Sequence, residues 1–175
     1  MRRGLAEEER RELATRVADA LRHFAGTLHA ARGTMVIWLE GTANPSLRHA
    51  SKYGLQLAFG AIALTMRKFE DLWSTHMPEL IPDRSQRPEE GKAIVKDCQD
   101  RNLRNTANQL IAHYADERGL ILAPSQIETL IRSNGWETEE EVVKWVEPVI
   151  EKILRIEEKI RRQYGVQGAS PGGSR

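Results

Sequence analysis

The stretch TEEEVVKWVEPVIEKILRIEEKIRRQY, residues 138–164, decides how the rest of the chain is read. Val142, Val146, Val149, Ile153, Ile156 and Ile160 recur at alternating steps of four and three. That spacing lays one apolar seam along an α-helix, and it is the period on which helices pack side by side. Thr138 and Glu141 form a capping-box pattern at the start, with a hydroxyl for orphan backbone N–H groups and a carboxylate reaching back. Pro148 lies inside the seam and is expected to kink it, because its ring clashes with the carbonyl of Lys144.

Working outward, the same period recurs. Leu55, Phe59, Ile62, Met66, Phe69 and Trp73 form a second seam, on a helix expected from near Ser46 to about His76. Leu13, Val17, Leu21, Phe24 and Leu28 mark a first helix from about Leu5 to Ala31. Gly33 is expected to end or break it, with Met35–Leu39 as a further helical turn. Pro78, Pro82 and Pro88 bracket a loop, after which a third long helix is expected from about Glu89 to Tyr114. Ser125 and Glu128 resemble a second capping box, opening a short helix that stops at Asn134-Gly135. Alternating β-branched runs are nearly absent. The expected fold class is all-α: an up-and-down bundle of four to five helices. Residues 1–165 are read as a single domain and 166–175, small and polar, as a disordered tail.

The chain has 175 residues, with 26 Lys plus Arg against 25 Asp plus Glu. Such a balance excludes a basic coat over the whole surface but not a local cationic patch. One cysteine excludes an internal disulfide and a cysteine zinc site; Cys98 is expected to be a packed thiol. His23, His29, His49 and His76 show no metal-ligand spacing. Neither a metal nor another cofactor is expected. The start is interrupted at once by Glu7, Glu8 and Glu9, unlike a signal peptide. The longest greasy stretch, Gly54 to Met66, is too short and mixed to span a membrane. A cytoplasmic setting is expected.

The third helix is the odd one. Its middle, KDCQDRNLRNTANQ (96–109), has little apolar content. Leu103, Leu110 and Tyr114 share a core face, while Cys98, Arg101, Asn105, Asn108 and Ala112 form a stripe on the opposite side. Asn is a poor helix former because its amide competes for the backbone. A merely solvated face would carry Lys and Glu; this one carries Arg and Asn. Two readings stay open: a solvated face on a helix stabilised by packing elsewhere, or a face that meets something polar, such as a partner helix, a second subunit or RNA.

The helix ends Asn108-Gln-Leu-Ile-Ala-His113-Tyr114-Ala-Asp116. This resembles the Arg-Asn-Lys-x-x-Ala-His-x-Asp ending of the HEPN superfamily, in particular its AbiU2-like branch. Arg67 to Asp71 resembles the Arg-x-x-x-Asp segment on an earlier helix of such proteins. The resemblance implies a helical bundle of phage-defence or toxin–antitoxin loci, acting as a homodimer and as a metal-independent endoribonuclease on RNA. It also implies a cognate antitoxin or defence partner. The family's Arg and His meet in one cleft across the dimer.

Here the place just before Asn108 is Ala107, where the family carries its Arg. The nearest upstream arginine, Arg104, lies half a turn out of phase with His113 on one helix. Cleavage without a metal needs an acid–base group for the 2′-hydroxyl and the leaving oxygen, and a cation for the phosphorane. His113 and Arg104 are the candidates for these roles. Asn105 or Asn108 would hold phosphate or orient the imidazole. Arg101 and Arg118 would add positive charge to the cleft. Arg67 or Arg118 could stand in for Arg104, and Asp71 could hold Arg67 four residues before it. Two other readings stand beside this one. One is a HEPN-like binding or antitoxin-like module that has lost catalysis, motivated by Ala107. The other is a plain helical interaction protein.

Overall fold

A computed structural model describes residues 6–115 and 124–167, with the backbone alone for His49, 111–115 and 124–125. The Ser-Pro-Gly-rich end from 168 on, Asp116 and Arg118 lie outside the described residues. The protein is all-helical among those residues. Six helices have ten residues or more: α1 (Glu7–Thr42), α2 (Arg48–Thr75), α4 (Glu89–Asp100), α5 (Leu103–Ala115), α6 (Pro124–Ser133) and α7 (Glu139–Tyr164). A single turn, α3 (Met77–Leu80), follows α2. No helix among the described residues is long and apolar enough to cross a membrane.

The two quoted seams are buried along their whole length, from Val142 to Ile160 on α7 and from Leu55 to Trp73 on α2. They join one core to which every helix contributes. α1 packs against both α2 and α7. Polar ties fix the register of α1 and α7. Arg11 donates to the Gly165 carbonyl at 2.9 Å, Arg161 to Asp19 at 2.7 Å, Arg22 to Glu157 at 3.0 Å, and Arg32 to Glu147 at 3.0 Å. As the number on α1 rises the number on α7 falls, so the two helices run antiparallel. Glu157 and Arg161 are themselves buried. Burial alone would raise the Glu157 carboxyl, but hydrogen bonds from Arg22 and Arg161 outweigh it and hold it below its ordinary range.

Gly33 neither ends nor breaks the first helix. α1 is continuous to Thr42, because Met35 beyond the glycine is fully buried and Trp38 packs on the core. Tertiary burial overrides the weak helix propensity of glycine. The closeness of α1 and α2 is set at Gly54, where an added Cβ would sit 2.1 Å from the Trp38 indole nitrogen. α7 continues through Pro148 as one helix. Thr138 caps it as read, accepting from Glu141 N at 3.4 Å, but the Glu141 carboxylate reaches one residue further back, to Glu137 N at 2.8 Å. α6 starts at Pro124, so Ser125 lies inside its first turn and not at the cap. Proline suits that place because a first-turn N–H has no partner in the helix anyway.

The third long helix is two helices. The chain turns at Arg101 and Asn102, and Asn102 adopts φ 56°, the left-handed region. Asn reaches that region more readily than most residues do. The reason for the turn lies in packing. On α4 the buried positions are Gly91, Ile94 and Cys98; on α5 they include Leu103, Ala107 and Leu110. One straight helix would aim Cys98 and Leu103 about 140° apart, and the break lets both reach the core. The stripe Cys98-Arg101-Asn105-Asn108 is therefore not one continuous face.

Candidate functional site

Asp71 on α2 joins the two segments that the sequence singled out. Arg104 on α5 donates from Nη1 to Asp71 Oδ1 at 2.7 Å. Arg67, one turn before Asp71, places its Nε 4.0 Å from Oδ2. The carboxylate thus stands between two guanidinium groups, held closely by the distant one and loosely by the helical neighbour. Asp71 and Arg104 are each about half exposed. The hydrogen bond and charge of Asp71 raise the proton affinity of Arg104 further, so the site holds a permanent cation at the surface.

His113 sits in α5, and its side chain lies outside the described residues. The break at Asn102 precedes Arg104, so positions 104 and 113 still share one helix. Nine steps of about 100° leave them half a turn apart. Asn105 and Asn108 are exposed on α5, with no side-chain hydrogen bond among the described residues. Ala107 is fully buried. The position where the resemblance expects an arginine therefore faces the core in this chain.

Arg101 has partners of its own. Its Nε donates to Asp97 at 3.2 Å and its Nη1 to the Asn134 carbonyl at 3.1 Å. Its guanidinium lies 4.4 Å from the Trp136 ring centroid and 5.8 Å from that of Trp145, a cation–π arrangement. The two indoles meet edge to face, 5.1 Å apart, and Trp145 Nε1 donates to Asp97. Arg101 thus ties the α4–α5 break to the turn after α6. A second tie lies beneath it, where Asn134 Nδ2 donates to Thr106 Oγ1 at 2.9 Å inside the core.

One residue at the site escaped the sequence reading. Glu70, next to Asp71, is only 7 % exposed. Its Oε2 is sealed from solvent and has no hydrogen-bond partner among the described residues. With Trp73, Cys98, Asn102 and Arg104 it lines a cavity of about 300 Å³ between α2 and the α4–α5 break. Burial raises the Glu70 carboxyl above its ordinary range, Arg104 opposes this, and the Asp71 charge adds to it. The signal was present in the sequence: position 70 falls four after Met66 and three before Trp73, on the apolar face of α2. Beside it, Cys98 is a buried thiol, pushed by burial and by Glu70 and Asp97 well above the usual thiol range. It is no nucleophile in that state. Among the described residues no group of three or more His, Cys, Asp or Glu is placed to hold a metal ion.

Compared with family models, with curated proteins and with solved structures, the chain matches none of them.

Proposed function

We propose that this chain is a HEPN-like up-and-down helical bundle that cleaves RNA without a metal, as a cytoplasmic homodimer with a composite cleft. The observation that supports the reading is that Asp71, in the Arg67–Asp71 segment, holds Arg104, four residues before the Asn108–His113 ending, at 2.7 Å, with Arg67 beside it. In this reading His113 takes the proton of the RNA 2′-hydroxyl. The freed oxygen attacks the adjacent phosphorus, and Arg104 offsets the charge that gathers on the phosphorane oxygens. The bond to the 5′-oxygen breaks, and that oxygen receives a proton from a protonated imidazole. The products are a 2′,3′-cyclic phosphate and a 5′-hydroxyl. Positions 104 and 113 are half a turn apart on α5, so one protomer does not bring both to one phosphate. A second copy, supplying the other residue, removes the conflict.

The test is RNA cleavage by the purified protein in excess chelator, with Arg104→Ala and His113→Ala alongside. Cleavage that persists in chelator and disappears in both variants, with helicity unchanged, is the expected result. Mixing the two inactive variants should restore part of the activity if the cleft is shared. Cleavage unaffected by His113→Ala overturns the reading.

A second reading has its own observation. Ala107 is buried where the family resemblance places an arginine, which favours a HEPN-like module without catalysis that binds a cognate defence or antitoxin partner. It predicts no cleavage at any protein concentration and a stable complex in light scattering.

A further inference from the structure

The Glu70 cavity does not end at α5. Trp73, Ser74, Val95 and Gln99 also line a second cavity, of about 340 Å³, that opens toward the loop after α3. The two cavities are neighbours that share this wall, between the end of α2 and α4, and are taken together as the two halves of one groove. Its outer half is cationic: Arg84, Arg87, Lys92 and Lys96 line it, and no acidic residue does. Two of the four are already engaged. Arg87 donates to the carbonyls of Ile81 and Pro82, at 2.9 and 3.3 Å, and Lys92 pairs with Glu89 at 2.5 Å. Arg84 and Lys96 are exposed and have no ion pair among the described residues. Its inner half ends on Glu70, a buried carboxyl without a hydrogen bond among the described residues.

Arg104, paired with Asp71, also lines the inner half, so what sets the two halves apart is the Glu70 carboxyl at one end and, at the other, cations without an ion pair among the described residues. Free guanidinium and ammonium groups over a concave surface suit phosphate. Oε2 of Glu70 is sealed, so its other oxygen, Oε1, is the one that can face the cavity, and a carboxyl oxygen there without a hydrogen bond among the described residues suits a hydroxyl donor. Lys92, Lys96 and Gln99 descend α4 toward the break, each turn advancing about 5.4 Å. Gln99 lines both cavities and Lys96 stands three residues before it, so the two ends adjoin along α4. Each half is large enough for a small polar ligand. Trp73 is stacked on Phe69 with ring centroids 5.9 Å apart and is covered by Gly91. It forms a wall of the groove and offers no open face for stacking a base.

We propose that this groove is a binding site for a phosphorylated sugar, its phosphate against Arg84 and Lys96 and its hydroxyls donating to Glu70. The ribose phosphate of an RNA strand and a free sugar phosphate share this chemistry. The site rests on the ribonuclease reading only where RNA is the source.

Calorimetric titration of the full chain with ribose 5-phosphate, ribose, inorganic phosphate and a short single-stranded RNA tests it. Ribose 5-phosphate should bind at least about tenfold more tightly than ribose or phosphate alone. The exposed pair Arg84→Ala with Lys96→Ala should weaken it at least about tenfold without changing helicity. Glu70→Gln should narrow its advantage over inorganic phosphate. If the double variant also weakens the RNA, the strand is the source; if RNA binding is untouched while ribose 5-phosphate is lost, the source is a free sugar phosphate. Ribose 5-phosphate binding no tighter than phosphate, or equally to the double variant, overturns the site. Loss of RNA cleavage with this binding intact would sink the ribonuclease reading and leave the groove standing. Cleavage with no such binding would do the reverse.

Discussion

Asp71 accepts a hydrogen bond at 2.7 Å from Arg104, a residue 33 positions away, and sits 4.0 Å from Arg67 on its own helix. The closer partner is the distant one. Arg104 is thereby held at the mouth of the Glu70 cavity, while Arg67 is held only at 4.0 Å. In the ribonuclease reading this makes Arg104 the phosphate-facing cation and Asp71 its positioning residue. Arg104→Ala should lower the cleavage rate roughly 100- to 1000-fold, and Arg67→Ala much less. Single-turnover kinetics on a defined RNA check this, and equal losses for the two would contradict the assignment.

Two glycines separate propensity from packing. A Cβ at Gly33 would meet nothing within 4 Å, whereas one at Gly91 would sit 1.9 Å from the Trp73 ring. Gly33→Ala should stabilise the fold by up to about 1 kcal/mol. Gly91→Ala should cost about 1–3 kcal/mol through overpacking. Urea melts of both variants provide the comparison.

The Glu157 cluster carries a larger effect. Removing the carboxylate leaves Arg161 buried without its partner, and Glu157→Ala should cost about 3–5 kcal/mol. Its carboxyl is held below 4.5 in the folded chain. Its stabilisation is therefore complete above that value and is lost as pH falls through the folded value. The gap between wild type and Glu157→Ala should accordingly shrink on acidification, which thermal melts at several pH values would reveal.

Glu70 has the opposite sign. Its carboxyl is raised above 4.5 by burial, against the pull of Arg104. Its neutral form fits the fold, so stability is greatest below 4.5 and declines as pH rises through the folded value. Glu70→Gln removes that decline. The variant should gain melting temperature relative to wild type at pH 7 and little at pH 4; a constant difference would refute this.

At the α4–α5 break, Asn102 is left-handed with φ 56°. Asn102→Gly should be neutral or stabilising. Asn102→Ala should cost roughly 1 kcal/mol, again read from denaturant midpoints.

How much of this was legible from residue order depends on the distance over which each feature is decided. The seams on α2 and α7 were readable because the helical period and apolar spacing are properties of neighbouring residues, and every quoted seam position is buried. The rest was not. Gly33 looked like a stop, yet the burial of Met35 carries α1 past it. The middle of the third helix looked like one polar face, yet Cys98 and Leu103 both had to reach the core, and the chain turned at Asn102 to let them. Two of its oddities then found uses: Arg101 locks the turn to Trp136, and Asn102 supplies the left-handed residue. Glu70 stood in plain view on an apolar face, but its proton affinity depends on which segments close over it. By itself the sequence determined where helices form and which side of each is greasy, because those are short-range properties. Only the tertiary structure decided that Asp71 pairs with Arg104 and that the Glu70 cavity adjoins one lined by Arg84 and Lys96, because burial and charge pairing are set by residues brought together from far along the chain.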